Sequence, residues 1–211
     1  MILLLLIKYE IYDIIGYVKD GVKVKVNIGV SARHIHLSKE DLNILFGDDY
    51  KLTIKAPLSQ KGQYACNEQV TLKGPKEIIE RVRVLGPERD KTQVEISRTD
   101  SFKLGIKPPV RNSGDLDGAA EITIVGPKGE ITRNSAIIAS RHIHAPKEDA
   151  IKYGFDGKEF VSIKIDGEKK GILENVYVRL NDNFSLEVHL DTDDANAFLI
   201  NNGDEAELIV K

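Results

Sequence analysis

The sequence predicts a mainly β protein with a few short helices, organised as two tandem small β-barrels related by internal duplication. Three observations predict it. Short runs of alternating apolar residues recur along the chain, a His-x-His motif occurs twice, and the strand spacing downstream of each copy repeats as well.

Taken in order, residues 1–24 come first. Leu3, Leu4, Ile7, Ile11, Ile14, Ile15 and Val18 recur at helical spacing, with Lys8, Glu10, Asp13 and Lys19 mostly off that stripe. This predicts an amphipathic helix docked on the domain or on a dimer partner. The apolar run is too short to span a bilayer. It has no basic segment before it and no small-residue cleavage site after it, which argues against a signal peptide. The expectation is a cytoplasmic chain with no membrane role, forming a homodimer or higher homo-oligomer.

From Gly21 the pattern changes to period two, with Val22, Val24, Val26, Ile28 and Val30 alternating with Lys23, Lys25 and Asn27. Such alternation is the mark of a half-buried strand. Further β-like runs follow: QVTLKG, RVRVLG, QVEIS, EITIVG, AIIAS, FVSIKI, VYVRL, LEVHL and EAELIV. Only the stretches after Ser38, Asp100, Pro146 and Thr192 read as helical. Ser38 with Asp41 resembles a capping box, and Pro146 suits a first helical position. Many short strands with few helices point to small barrels, and the chain is too short for a TIM barrel.

The duplication is explicit. Ser31–His36 (Ser-Ala-Arg-His-Ile-His) is matched by Ala139–His144 (Ala-Ser-Arg-His-Ile-His), and Lys39-Glu40-Asp41 by Lys147-Glu148-Asp149. Downstream, the stretch from Glu80 through Glu95 to Asp100 runs in step with that from Glu174 through His189 to Asp194, which sets Glu95 opposite His189. Two homologous lobes are expected, residues 25–115 and residues 116–211.

Composition narrows the function. A net charge of −3 and 30% charged residues argue against a general nucleic-acid binder. The lone Cys66 cannot form an internal disulfide and suggests a reducing compartment. It has no counterpart in the repeat and reads as a small core residue.

Four of the five histidines form the two His-x-His pairs, His34 with His36 and His142 with His144. In a strand, residues i and i+2 share a face, so both imidazoles of a pair converge while Ile35 or Ile143 turns away. The repeat supplies a third donor to each pair: His189 to His142 and His144, Glu95 to His34 and His36. Three protein donors with a remaining open position is the catalytic zinc arrangement. Imidazole with one carboxylate suits zinc, with iron, manganese or cobalt left open by donor type alone.

Arginines near Glu95 offer an anion site. Arg89 and Arg98 flank it, and the turn-rich Lys107–Asp115 segment carries Arg111 and Ser113 toward a possible cleft. The planar guanidinium donates two hydrogen bonds at once to phosphate. Arg33 and Arg141, just ahead of the histidine pairs, read as structural pairing residues. No G-x-x-x-x-G-K-[ST] and no G-x-G-x-x-G occurs, so nucleotide hydrolysis and a Rossmann cofactor lack support.

Taken together, Gly29–Ser38, Val84–Arg89, Thr92–Asp100, Pro108–Asp115, Ala139–His144 and Val188–Asp193 resemble the PduL-type phosphate acyltransferases, the phosphate propanoyltransferases. The resemblance covers nearly everything from Val26 to the C-terminus. It implies paired β-barrels with two zinc ions between them, and the reaction acyl-CoA plus phosphate ⇌ acyl phosphate plus CoA. For some members it also implies bacterial microcompartment cargo, packaged through an amphipathic N-terminal extension. Carried over by position, His34, His36 and Glu95 hold one zinc, and His142, His144 and His189 the other. Arg89 becomes the phosphate-gripping arginine, Ser113 lies near the reacting groups, and Phe102 lies near the CoA adenine. Two other readings compete: a bicupin-like metal oxygenase or isomerase, and a non-catalytic zinc-stabilised module of a protein shell. Against the first, Glu40 falls in a capped turn rather than among the histidines.

Overall fold

The computed structural model describes residues 24–210. The amphipathic helix expected in residues 1–24 lies outside them but for Val24. In the first half of the chain the elements are β1 (Lys25–Ser31), β2 (His34–His36), α1 (Lys39–Phe46), β3 (Ile54–Pro57), β4 (Tyr64–Lys73), β5 (Ile78–Gly86), β6 (Gln93–Glu95), α2 (Arg98–Leu104) and β7 (Val110–Arg111). The second half adds β8 (Ala120–Val125), β9 (Glu130–Ala139), β10 (His142–Ala145), α3 (Lys147–Lys152), β11 (Phe160–Ile165), β12 (Gly171–Leu180), β13 (Glu187–Asp191), α4 (Thr192–Phe198) and β14 (Glu205–Ile209).

Two six-stranded barrels result. One closes in the order β1-β13-β10-β12-β11-β14. The other closes as β4-β5-β2-β6-β9-β8, with β3 and β7 added outside on β4 and β9. The duplication is kept in detail. In each barrel the His-x-His strand runs parallel to one neighbour and antiparallel to the other. Each long strand, β5 and β12, bends at one residue of positive φ, Arg81 (57°) and Asn175 (56°), at equivalent places in the repeat.

The barrels are not the two halves of the chain cut at residues 115 and 116. β1 belongs to the barrel of β10–β14, while β8 and β9 complete the barrel of β2–β6. Only Ala32 and Arg33 separate β1 from β2, and only Ser140 and Arg141 separate β9 from β10. At each of these short links the chain steps into the other barrel, once in each direction.

Alternation fills each interior. Ile35, Val70, Leu72, Val82, Val84, Val94, Ile122 and Ile124 pack in one core. Val26, Ile28, Ile143, Val161, Ile163, Val176, Val188 and Leu190 pack in the other. Burying such side chains contributes roughly 1.5–3 kcal/mol each, and neither core needs a staple. Leu42 and Leu45 of α1 close the end of the first barrel.

The helix starts differ in detail from expectation. Ser38 Oγ accepts from the Asp41 amide, but the Asp41 carboxylate turns to Arg133 and Thr92 instead of closing a capping box. The reciprocal box forms at Ser97 and Asp100, so α2 begins ahead of Asp100. Pro146 is the N-cap of α3 and not its first helical residue, since the helix runs from Lys147.

Candidate active site

Both histidine pairs follow a crossing between the barrels. Ile35 and Ile143 are fully buried in the two cores, which leaves His34, His36, His142 and His144 on the outer barrel faces that meet each other. Antiparallel pairing brings in the third donors directly: His34 sits opposite Glu95 on β6, and His142 opposite His189 on β13. The donor atoms of His34, His36 and Glu95 lie within 4.8 Å of one another, as do those of His142, His144 and His189.

The crossings also orient the rings. His34 Nδ1 is 2.9 Å from the Ala32 carbonyl, and His142 Nδ1 is 2.8 Å from the Ser140 carbonyl. A carbonyl only accepts, so each Nδ1 carries a proton, and the neutral form of the ring that binds a metal would present its Nε2 lone pair to the cluster. The crossings are themselves held down. Arg33 donates to both oxygens of Asp100 at 2.8 and 2.6 Å, and Arg141 donates to Asp194 at 2.8 Å, equivalent partners in the two repeats.

Burial decides the charge states. It pushes His36 down to about 3, His142 to about 4 and His144 to about 2, helped in each case by a neighbouring histidine. These imidazoles are neutral at neutral pH, the form that binds metal. Burial opposes the charge on Glu95, but the adjacent His34 overcomes it and holds the carboxyl far below its ordinary range. His36 Nδ1 and both nitrogens of His144 are buried without a hydrogen-bond partner among the described residues. Leaving such groups unmatched costs about 1–3 kcal/mol each. Clustered, neutral, unpartnered imidazole nitrogens with one anionic oxygen are a donor set that suits a divalent zinc-like ion.

Between the clusters lies a cleft of about 460 Å³. Its lining includes all six donors, Arg89, Ser113 and Arg179. Arg89 is positioned by main-chain pairing beside the start of α1, its amide donating to the Leu37 carbonyl at 2.9 Å. Its Nη1 donates to Ser113 Oγ at 3.1 Å, and Ser113 Oγ donates to Glu95 Oε1 at 2.9 Å. Gln93 ties these together, its Nε2 reaching Glu95 Oε1 at 2.5 Å and Ser113 Oγ at 2.9 Å. Burial lowers the Arg89 pKa from its ordinary value without removing the charge.

A family model described as phosphate propanoyltransferase matches residues 27–201. The chain belongs to the phosphate propanoyltransferase family, a family of acyltransferases. A phosphate propanoyltransferase of Thermotoga maritima is 52% identical over 179 residues, covering 84% of this chain and 85% of that protein. One from Priestia megaterium is 53% identical over 180 residues, with 85% and 83% covered. A third, from Rhodobacter capsulatus, is 47% identical over 178 residues, with 84% and 83% covered.

The other residues singled out in this family member divide. Phe102 stands on the outer face of α2, 61% exposed, with the Arg98 guanidinium 4.6 Å above its ring. Neither is in the cleft lining. Arg111 is also outside it, because its guanidinium is committed to its own turn through the Val110 and Asp117 carbonyls and the Asp115 carboxylate. Cys66 is fully buried in the first core, and burial pushes its thiol up to about 12. It therefore stays protonated and is no nucleophile at neutral pH.

Three residues of the site went unnoticed in the sequence: Gln93, buried behind Glu95 and Ser113, and the cleft-lining Glu187 and Arg179. Gln93 and Glu187 lie two residues before Glu95 and His189, so period two already puts them on the donor face. Glu187 Oε2 comes within 2.8 Å of His189 Nε2. It also receives Ser59 and Gln60 from the loop ahead of β4, which crosses from the first barrel onto the second. Gly29, paired with His189, makes room for that carboxyl, since a Cβ there would meet it at 3.2 Å. No helix among the described residues is long and apolar enough to cross a membrane.

Proposed function

We propose that the chain is a two-zinc phosphate acyltransferase that interconverts propanoyl-CoA or acetyl-CoA plus phosphate with the acyl phosphate plus CoA. The observation that carries this reading is the facing of two open three-donor clusters across one cleft, with an arginine and a serine hydrogen-bonded at its wall. His34, His36 and Glu95 would hold one zinc, and His142, His144 and His189 the other. Zinc bound there supplies Lewis acidity and affinity for a thiolate leaving group.

The chain's own residues do the rest. Arg89 presents a fork donor to the phosphate dianion and keeps one oxygen aimed at the thioester carbonyl. Ser113, already linked to Arg89 and Glu95, offers a hydroxyl to the same anion. No acyl-enzyme is needed, since oriented phosphate attacks the carbonyl carbon as the C–S bond breaks and CoA thiolate leaves. The exposed Phe102 ring offers a stacking surface for the CoA adenine at the molecule's outer face. The N-terminal extension is assigned to oligomer docking or to packaging in a microcompartment.

The test is CoA release from propanoyl-CoA and acetyl-CoA, with and without phosphate, alongside metal analysis. Expected are phosphate-dependent release, two zinc ions per chain and loss of activity on chelation. Release that ignores phosphate, or full activity with less than one metal ion per chain, would overturn the reading. Bound iron with no dependence on CoA would instead favour the oxygenase or isomerase alternative.

A further inference from the structure

Arg179 stands on β12 beside His144, its register partner on the parallel strand β10. Directly paired residues of neighbouring strands share a face, so Arg179 extends on the metal-donor side of the barrel. It lines the cleft with Arg89 and Ser113. Its guanidinium lies 5.9 Å from the Phe184 ring, and Phe184 itself stacks on His144 at 4.1 Å between ring centroids. Among the described residues it makes no ion pair within 4 Å, in contrast to Arg33, Arg133 and Arg141, which each hold a carboxylate.

Arg89 likewise has no carboxylate partner of its own at that range among the described residues, only Ser113. Each arginine is partly buried, and each is near enough to the other for the Arg179 charge to depress Arg89. Two partly desolvated guanidiniums that repel one another across a cleft are costly unless an anion sits between them. Glu95 faces both, but its oxygens are taken by Gln93, Ser113 and the His34 side. The duplication does not explain the pair either: the residue equivalent to Arg179 in the first repeat is Leu85, and the one equivalent to Arg89 in the second is Asn183. The two charges come from unrelated places in the repeats and meet only in the cleft.

We propose that Arg179 is the second arm of an anion clamp, gripping the phosphate or acyl phosphate dianion together with Arg89 between the two donor clusters. A tetrahedral dianion has oxygens enough for both forks, and each arginine comes from a different barrel, so the anion also bridges the barrels. The stack of His144, Phe184 and Arg179 fixes the direction of approach of the second arm.

This rests on the phosphate acyltransferase reading, and the experiment separates the two. Steady-state kinetics with propanoyl-CoA and phosphate would be run on zinc-loaded wild type, Arg179→Ala, Arg179→Gln and Arg179→Lys, with metal content and calorimetric titration of inorganic phosphate on each. Expected for Arg179→Ala and Arg179→Gln is a rise of about 10- to 100-fold in the phosphate KM and dissociation constant. The propanoyl-CoA KM should change little, two zinc ions should remain, and Arg179→Lys should recover part of the loss. An unchanged phosphate constant in an active background overturns the clamp, as does a defect confined to the CoA KM. Zinc lost from both the Ala and Gln variants also overturns it, because Arg179 would then be a support of the metal site. Absence of any phosphate-dependent turnover in the wild type would sink the acyltransferase reading itself.

Discussion

The two donor clusters are built on the same register and differ in one residue. In the first, Glu95 stands opposite His34; in the second, His189 stands opposite His142. The surroundings diverge with it. Glu95 is fastened by Gln93 and Ser113 and reaches Arg89 through the serine. His189 instead meets Glu187, which is fastened by a loop from the other barrel. Duplication thus copied the backbone that gathers the donors, and the side chains then separated the roles. One cluster gains an anion within its donor set, while the other has three imidazoles and its anion, Glu187, beside them. A divalent ion keeps one more unit of net positive charge among three imidazoles than beside a carboxylate. The two positions would therefore polarise what binds them unequally.

The largest expected effect comes from emptying one site at a time. His34→Ala with His36→Ala should leave one zinc per chain, and so should His142→Ala with His144→Ala. Each should lower turnover roughly a thousandfold, since Lewis-acid stabilisation is a matter of several kcal/mol. Metal analysis checks this directly. If either double variant retains two ions, or loses both, the comparison of two separate sites breaks.

Next is Arg89→Ala, which removes a donor found on the Glu95 side alone. It should raise the phosphate KM and cut turnover about a hundredfold, on the order of 3 kcal/mol, with zinc and fold retained. Arg89→Lys should recover only part, because ammonium keeps the charge without the fork. Arg141→Ala is the contrasting variant: it should lower Tm, leaving Asp194 without its partner, and leave phosphate kinetics near wild type. A phosphate defect in Arg98→Ala or Arg111→Ala with none in Arg89→Ala would move the anion site elsewhere.

The smallest effect should be that of Gln93→Ala, which frees Glu95 and Ser113 without removing a donor. Competition with a chromophoric chelator should show zinc held about tenfold more weakly at one site of the two. Equal weakening at both sites would mean that Gln93 supports the cleft in general and not the first cluster.

Much of this was legible along the chain. His-x-His in a strand puts two imidazoles on one face whatever the fold around them, because alternation is a local property of extended backbone. The repeat then named Glu95 and His189 as third partners, and the structure places them with those pairs. The same local logic covers Gln93 and Glu187, but amide and carboxylate side chains on a strand are common and carried no separate signal. Arg179 had none at all, since nothing nearby in sequence distinguishes it from the other arginines of the chain.

What the sequence determined by itself was therefore the local part: mainly β character, duplication, and two sets of converging donors. It left the partition of strands between barrels undecided. Hydrophobic alternation requires that each strand bury one face but does not name the sheet it joins. Tertiary closure made that choice, sending β1 into one barrel and β9 into the other through links of two residues. Those crossings draw both histidine pairs to the boundary between the barrels, where Arg89 and Arg179 meet from opposite sides. A site made by two barrels facing each other depends on contacts between residues far apart in the chain, and only the folded molecule brings them together.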